Sequence, residues 1–165
     1  ERSIGFAADH GFGLMLSTLP SAETLAGQIE FYRKRVKKAP APWNGNPACG
    51  EVDIARWVYV AESDAEARAD SEGGILRHLA HFMGKSTAGY LGSVSEKGGD
   101  ALNYDDLLET TLLHGSPETV TRKLRALAET TGMTSLMLHY PPYYGTDKAR
   151  KSLRLFAEQV IPQFR

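Results

Sequence analysis

Residues 116–139 read SPETVTRKLRALAETTGMTSLMLH, and this stretch decides the fold class. Ser116 offers an N-cap hydroxyl, Pro117 fits the first helical position and Glu118 puts an acid in the first turn. Val120, Leu124, Leu127 and Ala128 then recur on one helical face. Gly132 supplies the left-handed residue that ends a helix. The chain passes at once into MTSLMLH (133–139), a continuous apolar run that suits a strand. A helix feeding straight into a strand is half of a βαβ unit, and such units build parallel sheets.

The alternation extends in both directions. Upstream, ARWVYVAES (55–63) is β-branched and aromatic and reads as a strand. Ser63 and Glu66 make a capping box, so a helix begins directly after it. That helix meets Gly73 and Gly74, where a break or kink is expected before ILRHLAHFM continues as a second piece. Earlier still, residues 1–10 place Ile4, Ala7 and Ala8 on one helical face, and Gly11 ends that helix. FGLMLS (12–17) is a continuous apolar run, expected to be a strand buried on both faces. Ser21 caps the next helix, whose stripe is Leu25, Ile29, Tyr32 and Val36. Its basic tail, Arg33 to Lys38, reads as cations at a helix C-terminus rather than as a nucleic-acid patch. Residues 39–54 read as a loop. Downstream, PPYYG follows His139, and a last helix from Thr146 or Asp147 is expected to pack Ala149, Leu153, Phe156 and Val160 before Pro162 stops it. Residues 84–114 are broken up by Gly84, Gly89, Gly92, Gly98 and Gly99, with a short helix over Tyr104–Leu113; they read as an insertion or lid segment.

Three strands are thus expected, too few to seal a parallel sheet. A complete eight-stranded β/α barrel needs about 250 residues, and this chain has 165 and opens on Glu1 already in a helix. The reading is one partial TIM-barrel domain over 1–165, a piece of a longer protein; the alternative is a small three-stranded α/β domain. Composition excludes other classes. With 42% hydrophobic residues, 24% charged and a net charge of −1, the chain is globular and is no phosphate-tracking nucleic-acid binder. No apolar run reaches the ~20 residues of a membrane span. The lone cysteine, Cys49, leaves no disulfide and no cysteine-based zinc site, so a cytoplasmic setting and no metal are expected.

Ligands of parallel α/β folds bind at the carboxyl ends of the strands. Those ends here are Ser17-Thr18, Ala61-Ser63 and His139-Tyr140. His139 can carry a proton and Tyr140 can donate to an oxyanion, or both can simply pack a turn. His78 and His81, three apart on a helix, lack a third metal ligand and read as packing or surface residues. Arg2 and Ser3, with Glu1, open the first helix, where backbone N–H groups suit a phosphate.

Several segments together resemble the luciferase-like flavin monooxygenases: ERSIGFAADHG before a strand, ARWVYVAESDAEARADSE, LLHGSPETVTRKLRALAETTGMTSLMLHYPP and SLRLFAEQVIPQFR. Their order spans nearly the whole chain, with residues 84–113 loosely covered. The resemblance implies the C-terminal half of a (β/α)8 TIM barrel. It implies reduced FMN supplied by a separate flavin reductase, its phosphate held at Glu1, Arg2 and Ser3, and a small organic substrate oxygenated through a flavin peroxide. It points to Tyr140 as a site residue, and with His139 beside it at the strand end the two are the expected catalytic pair. Members acting on alkanesulfonates carry an inward Arg and His where this chain has Ala55 and Trp57, so Trp57, with Tyr143, is expected to wall a less charged substrate pocket. A homo-oligomer or dimer is the expected assembly. Two alternatives remain open: a deazaflavin-dependent oxidoreductase on the same barrel, and a non-catalytic flavin-binding subunit.

Overall fold

The computed structural model describes residues 2–82 and 103–164. The elements are α1 (Arg2–Asp9), β1 (Leu14–Leu16), α2 (Ala22–Val36), β2 (Val52–Val60), α3 (Asp64–Phe82), α4 (Tyr104–Thr110), β3 (Leu113–Gly115), α5 (Pro117–Thr131), β4 (Ser135–His139) and α6 (Thr146–Leu155). Every strand pairing among them is parallel, as the helix–strand alternation requires. β2 is the hub. Leu14–Leu16 of β1 lie against Val52–Ile54, Ser135–His139 of β4 against Asp53–Trp57, and Leu113–Gly115 of β3 against Val58–Val60.

β2 is long and buried on both faces, so it carries two cores. On one face Val52, Ile54, Val58 and Val60 meet Leu25 and Ile29 of α2, Val120 and Leu124 of α5, and Phe156 and Val160 beyond α6. On the other, Trp57, Tyr59 and Ala61 meet Ile75 and Leu79 of α3, Tyr104 and Leu107 of α4, and Tyr144. Each such side chain contributes about 1.5–3 kcal/mol on leaving water. The caps form as the sequence dictates: Ser21 Oγ accepts from Thr24 N, Ser116 Oγ from Thr119 N, and Gly132 takes φ 60° after α5. No helix among the described residues is long and apolar enough to cross a membrane.

Six expectations are corrected. Four strands are present among the described residues, not three, because Leu113–Gly115 pairs with the end of β2. Three residues are too few for any periodicity to register, and α4 accordingly stops at Thr110, short of Leu113. β1 is buried on one face only: Leu14 and Leu16 enter the core while Met15 is 61% exposed. α3 runs unbroken through Gly73 and Gly74. At Gly74 the absent side chain makes room, since a Cβ there would lie 2.8 Å from the Tyr144 ring and 2.9 Å from the Tyr143 carbonyl. Finally, Leu153 faces outward, and the buried positions of α6 are Ser152 and Leu155. β2 begins three residues earlier than the apolar run suggests, at Val52. The lid segment expected over 84–114 lies outside the described residues up to 102; from Tyr104 onward it is α4 and β3.

Candidate functional site

The site is built where β2 and β4 run side by side toward their carboxyl ends. In parallel register, Trp57 of β2 lies beside His139 of β4, and paired residues project from the same face. Their rings stack with centroids 6.2 Å apart at 28°. Ala55 pairs with Met137 and Met15 with Asp53 on that same face, which leaves Met15 and Met137 open to solvent. Ala55 and Trp57 therefore share the wall, as their two-residue spacing implies.

α3 crosses this face and delivers His78. Its ring stands edge-on to both partners, 6.0 Å from Trp57 and 5.7 Å from His139. The turn after β4 delivers Tyr143, 6.2 Å from His78 and 6.5 Å from His81, with the Arg77 guanidinium 5.1 Å from its ring centroid. Pro141 and Pro142 cannot extend the strand's hydrogen bonding, so the chain turns as a 3-10 helix over Pro142–Tyr144. The close approach at Gly74 lets this turn seat on α3.

A buried polar network fixes the turn from beneath. His114 of β3 is 1% exposed. Ser71 Oγ donates to the Ala67 carbonyl and so accepts from His114 Nδ1, 2.9 Å away. The remaining ring nitrogen, Nε2, accepts from the Tyr144 hydroxyl at 2.9 Å. Tyr104 OH completes the group, 3.2 Å from Nδ1. Burial pushes the His114 pKa down to about 3, so the ring is neutral and works as a hydrogen-bonding junction.

The ring cluster is itself nearly uncharged. Burial lowers the pKa of His139, and burial with the neighbouring His139 and His81 lowers that of His78. Each imidazole thus keeps a lone pair near neutrality and can take up a proton. Trp57 is 4% exposed, and its Nε1 is a buried donor with no hydrogen-bond partner among the described residues.

Of the residues singled out from sequence, Trp57, His139 and Tyr143 come together. Tyr140 turns elsewhere. Its hydroxyl lies 3.2 Å from Ser152 Oγ of α6, and that Oγ accepts from the Val60 amide at 2.7 Å. Burial raises the Tyr140 pKa. Arg2 and Ser3 are exposed at the start of α1, while Glu1 lies outside the described residues. His78 is the residue that reading the sequence undervalued. The His-x-x-His spacing was visible, but not that α3 would lay His78 across the strand ends. His114 carried no signal, since its strand is three residues long.

The sequence profile described as luciferase-like monooxygenase matches residues 1–135. No curated protein matches the chain. Among solved structures, the chain is similar to the oxygenating constituent of 3,6-diketocamphane monooxygenase from the CAM plasmid of Pseudomonas putida, a type II Baeyer–Villiger monooxygenase in complex with FMN. Identity is 23% over 98% of this chain and 45% of that one, with a TM-score of 0.74. A monooxygenase from Streptomyces bottropensis is 20% identical over 99% of this chain and 45% of its own, TM-score 0.75. The coenzyme F420-dependent tetrahydromethanopterin reductase from Methanopyrus kandleri is 18% identical over 98% of this chain and 48% of its own, TM-score 0.61. At these identities the likeness is one of fold, and the chain spans less than half the length of each.

Proposed function

The chain belongs to the luciferase-like monooxygenase family, and from that premise we propose that it is part of a flavin-dependent monooxygenase. The protein would take reduced FMN from a separate flavin reductase and oxygenate a small organic substrate with O2. The supporting observation is the neutral ring cluster of Trp57, His78, His139 and Tyr143 at the carboxyl ends of β2 and β4.

The residues fit the cofactor. Arg2, Ser3 and the free amides of the first turn of α1 are all donors, which suits a phosphate, and Glu1 precedes them. The unpaired Trp57 Nε1–H offers a donor to an acceptor on a bound ring, as a flavin carries. When bound, reduced FMN supplies the electrons that activate O2. The chain's own part is to position and to exclude. Trp57 and Tyr143 wall the substrate, while Met15 and Met137 give the face an apolar floor. His139, neutral and half-buried, accepts or returns a proton at an imidazole nitrogen as oxygen is inserted. Tyr140 acts through Ser152, holding the end of β4 against α6.

The experiment uses the intact protein with chemically reduced FMN, O2 and a panel of ketones, aldehydes and sulfides. Substrate-dependent oxygenated product is expected, and His139→Gln should lower turnover at least tenfold with FMN affinity kept. Absence of product with every substrate, while FMN binds, would favour the non-catalytic subunit. The likeness to the F420-dependent reductase motivates a second reading, hydride transfer from a deazaflavin. Tighter binding of reduced deazaflavin than of reduced FMN would select it. A cytoplasmic location and a homo-oligomeric or dimeric assembly complete the proposal.

A further inference from the structure

We propose that the molecule carries a second ligand site on the opposite face of β2: a cavity of about 400 Å³, bounded by α2, α4, β3 and α5, that takes a small monocarboxylate with an apolar body. The volume suits a compact organic molecule.

Arg56 is the charged group at the inner wall of this cavity. Along β2 its neighbours on this face are Ile54 and Val58, both core residues, yet Arg56 is 1% exposed and lines the cavity. Its guanidinium donates only to backbone carbonyls: Nη1 to Ser17, Thr18 and Ala55 at 3.2, 3.1 and 3.3 Å, and Nη2 to Pro20 at 2.8 Å. Among the described residues no carboxylate pairs with it. Burial alone pulls its pKa down to about 10, with no neighbouring acid acting against that. A cation taken out of water is costly without a counter-charge. Carbonyl dipoles return part of that cost, and a carboxylate, whose two oxygens match the guanidinium fork, would return more.

The rest of the cavity defines the ligand's body and charge. Leu108, Leu112, Leu113 and Leu127 make its walls apolar. Lys123 holds those walls in place, its Nζ donating to the Leu108 and Leu112 carbonyls. Glu23, Glu109 and Arg122 also line it, and all three are exposed. Being exposed to water, these charges are well screened, so the buried Arg56 sets the ligand's charge and the leucine walls set its body. A hydrocarbon body with a single carboxylate therefore fits better than inorganic phosphate.

The test is calorimetric titration of the intact, flavin-free protein with hexanoate, 1-hexanol and inorganic phosphate. Saturable one-to-one binding of hexanoate is expected, with 1-hexanol and phosphate each at least tenfold weaker. Ala126→Trp and Thr130→Trp, at exposed positions of α5 that line the cavity, should weaken hexanoate at least tenfold without changing the unfolding temperature. The proposal is overturned if hexanoate does not saturate, if 1-hexanol binds equally well, or if a folded tryptophan variant binds as the parent does. None of these readouts uses flavin or turnover, so the outcome stands apart from that of the oxygenation assay.

Discussion

Two adjacent glycines that look equivalent in the sequence differ sharply once placed. Gly73 has nothing within 4 Å of an added Cβ, while Gly74 abuts Tyr144 and the Tyr143 carbonyl. Gly74→Ala should destabilise the protein by about 1–3 kcal/mol through overpacking against backbone that cannot yield. Gly73→Ala should be neutral or stabilise by up to ~1 kcal/mol, since it only adds helix propensity. Urea unfolding of both variants measures the contrast. His114 supports a prediction about pH. Its folded pKa of about 3 lies below the unfolded value near 6.5, so between these limits the unfolded state binds the extra proton. Stability is then full above about pH 6.5 and falls as the pH drops toward 3, by up to ~1.4 kcal/mol per unit from this residue. His78 and His139, shifted in the same direction, add to the slope. His114→Gln should give a lower but flatter profile in the same range. An unchanged slope would show that His114 is not the neutral junction the network requires.

At the level of elements, one hydroxyl ties the end of β2 to α6. Ser152 is fully buried, and its Oγ accepts from the Val60 amide. Ser152→Ala strands that N–H in the core and should cost about 1–3 kcal/mol. Tyr140→Phe removes a hydroxyl but leaves Val60 satisfied, so its loss should be smaller. Thermal unfolding of the two variants, which should differ in that order, is the check. The elements also show what could be read in advance. α2 and α5 were legible because an N-cap, an apolar stripe and a stop agree in each, and β2 was legible from Ala55 to Val60, where the run is β-branched and aromatic, while Val52–Ile54 read as loop. β3 was not, since Leu113–Gly115 owes its state to the partner beside it. The unbroken α3 was misjudged because helix propensity weighs Gly74 as a cost and cannot see the tyrosine that needs the space.

For the molecule as a whole, alternation of helix and strand sufficed to announce parallel pairing, and it placed His139 and Trp57 at strand ends. It could not bring His78 to them or turn Tyr140 away, because those outcomes depend on how α3 and α6 pack across the sheet. Nor could it show that Arg56, one position from Trp57, would be buried on the other face, at the wall of a cavity. The central strand has a further consequence. Each of the other described strands hydrogen-bonds to β2, β1 and β4 along its first part and β3 at its end, across up to 82 residues of sequence (Asp53 to Ser135). Loss of any single flank frees only part of the hub, whereas loss of the hub frees them all. Under native deuterium exchange, amides of Ile54 to Val60 should be the slowest to label and should share one opening energy, while those of Leu14–Leu16 label early through local fraying. Protection of the β1 amides outlasting that of β2 would mean that the order of assembly runs from the rim inward.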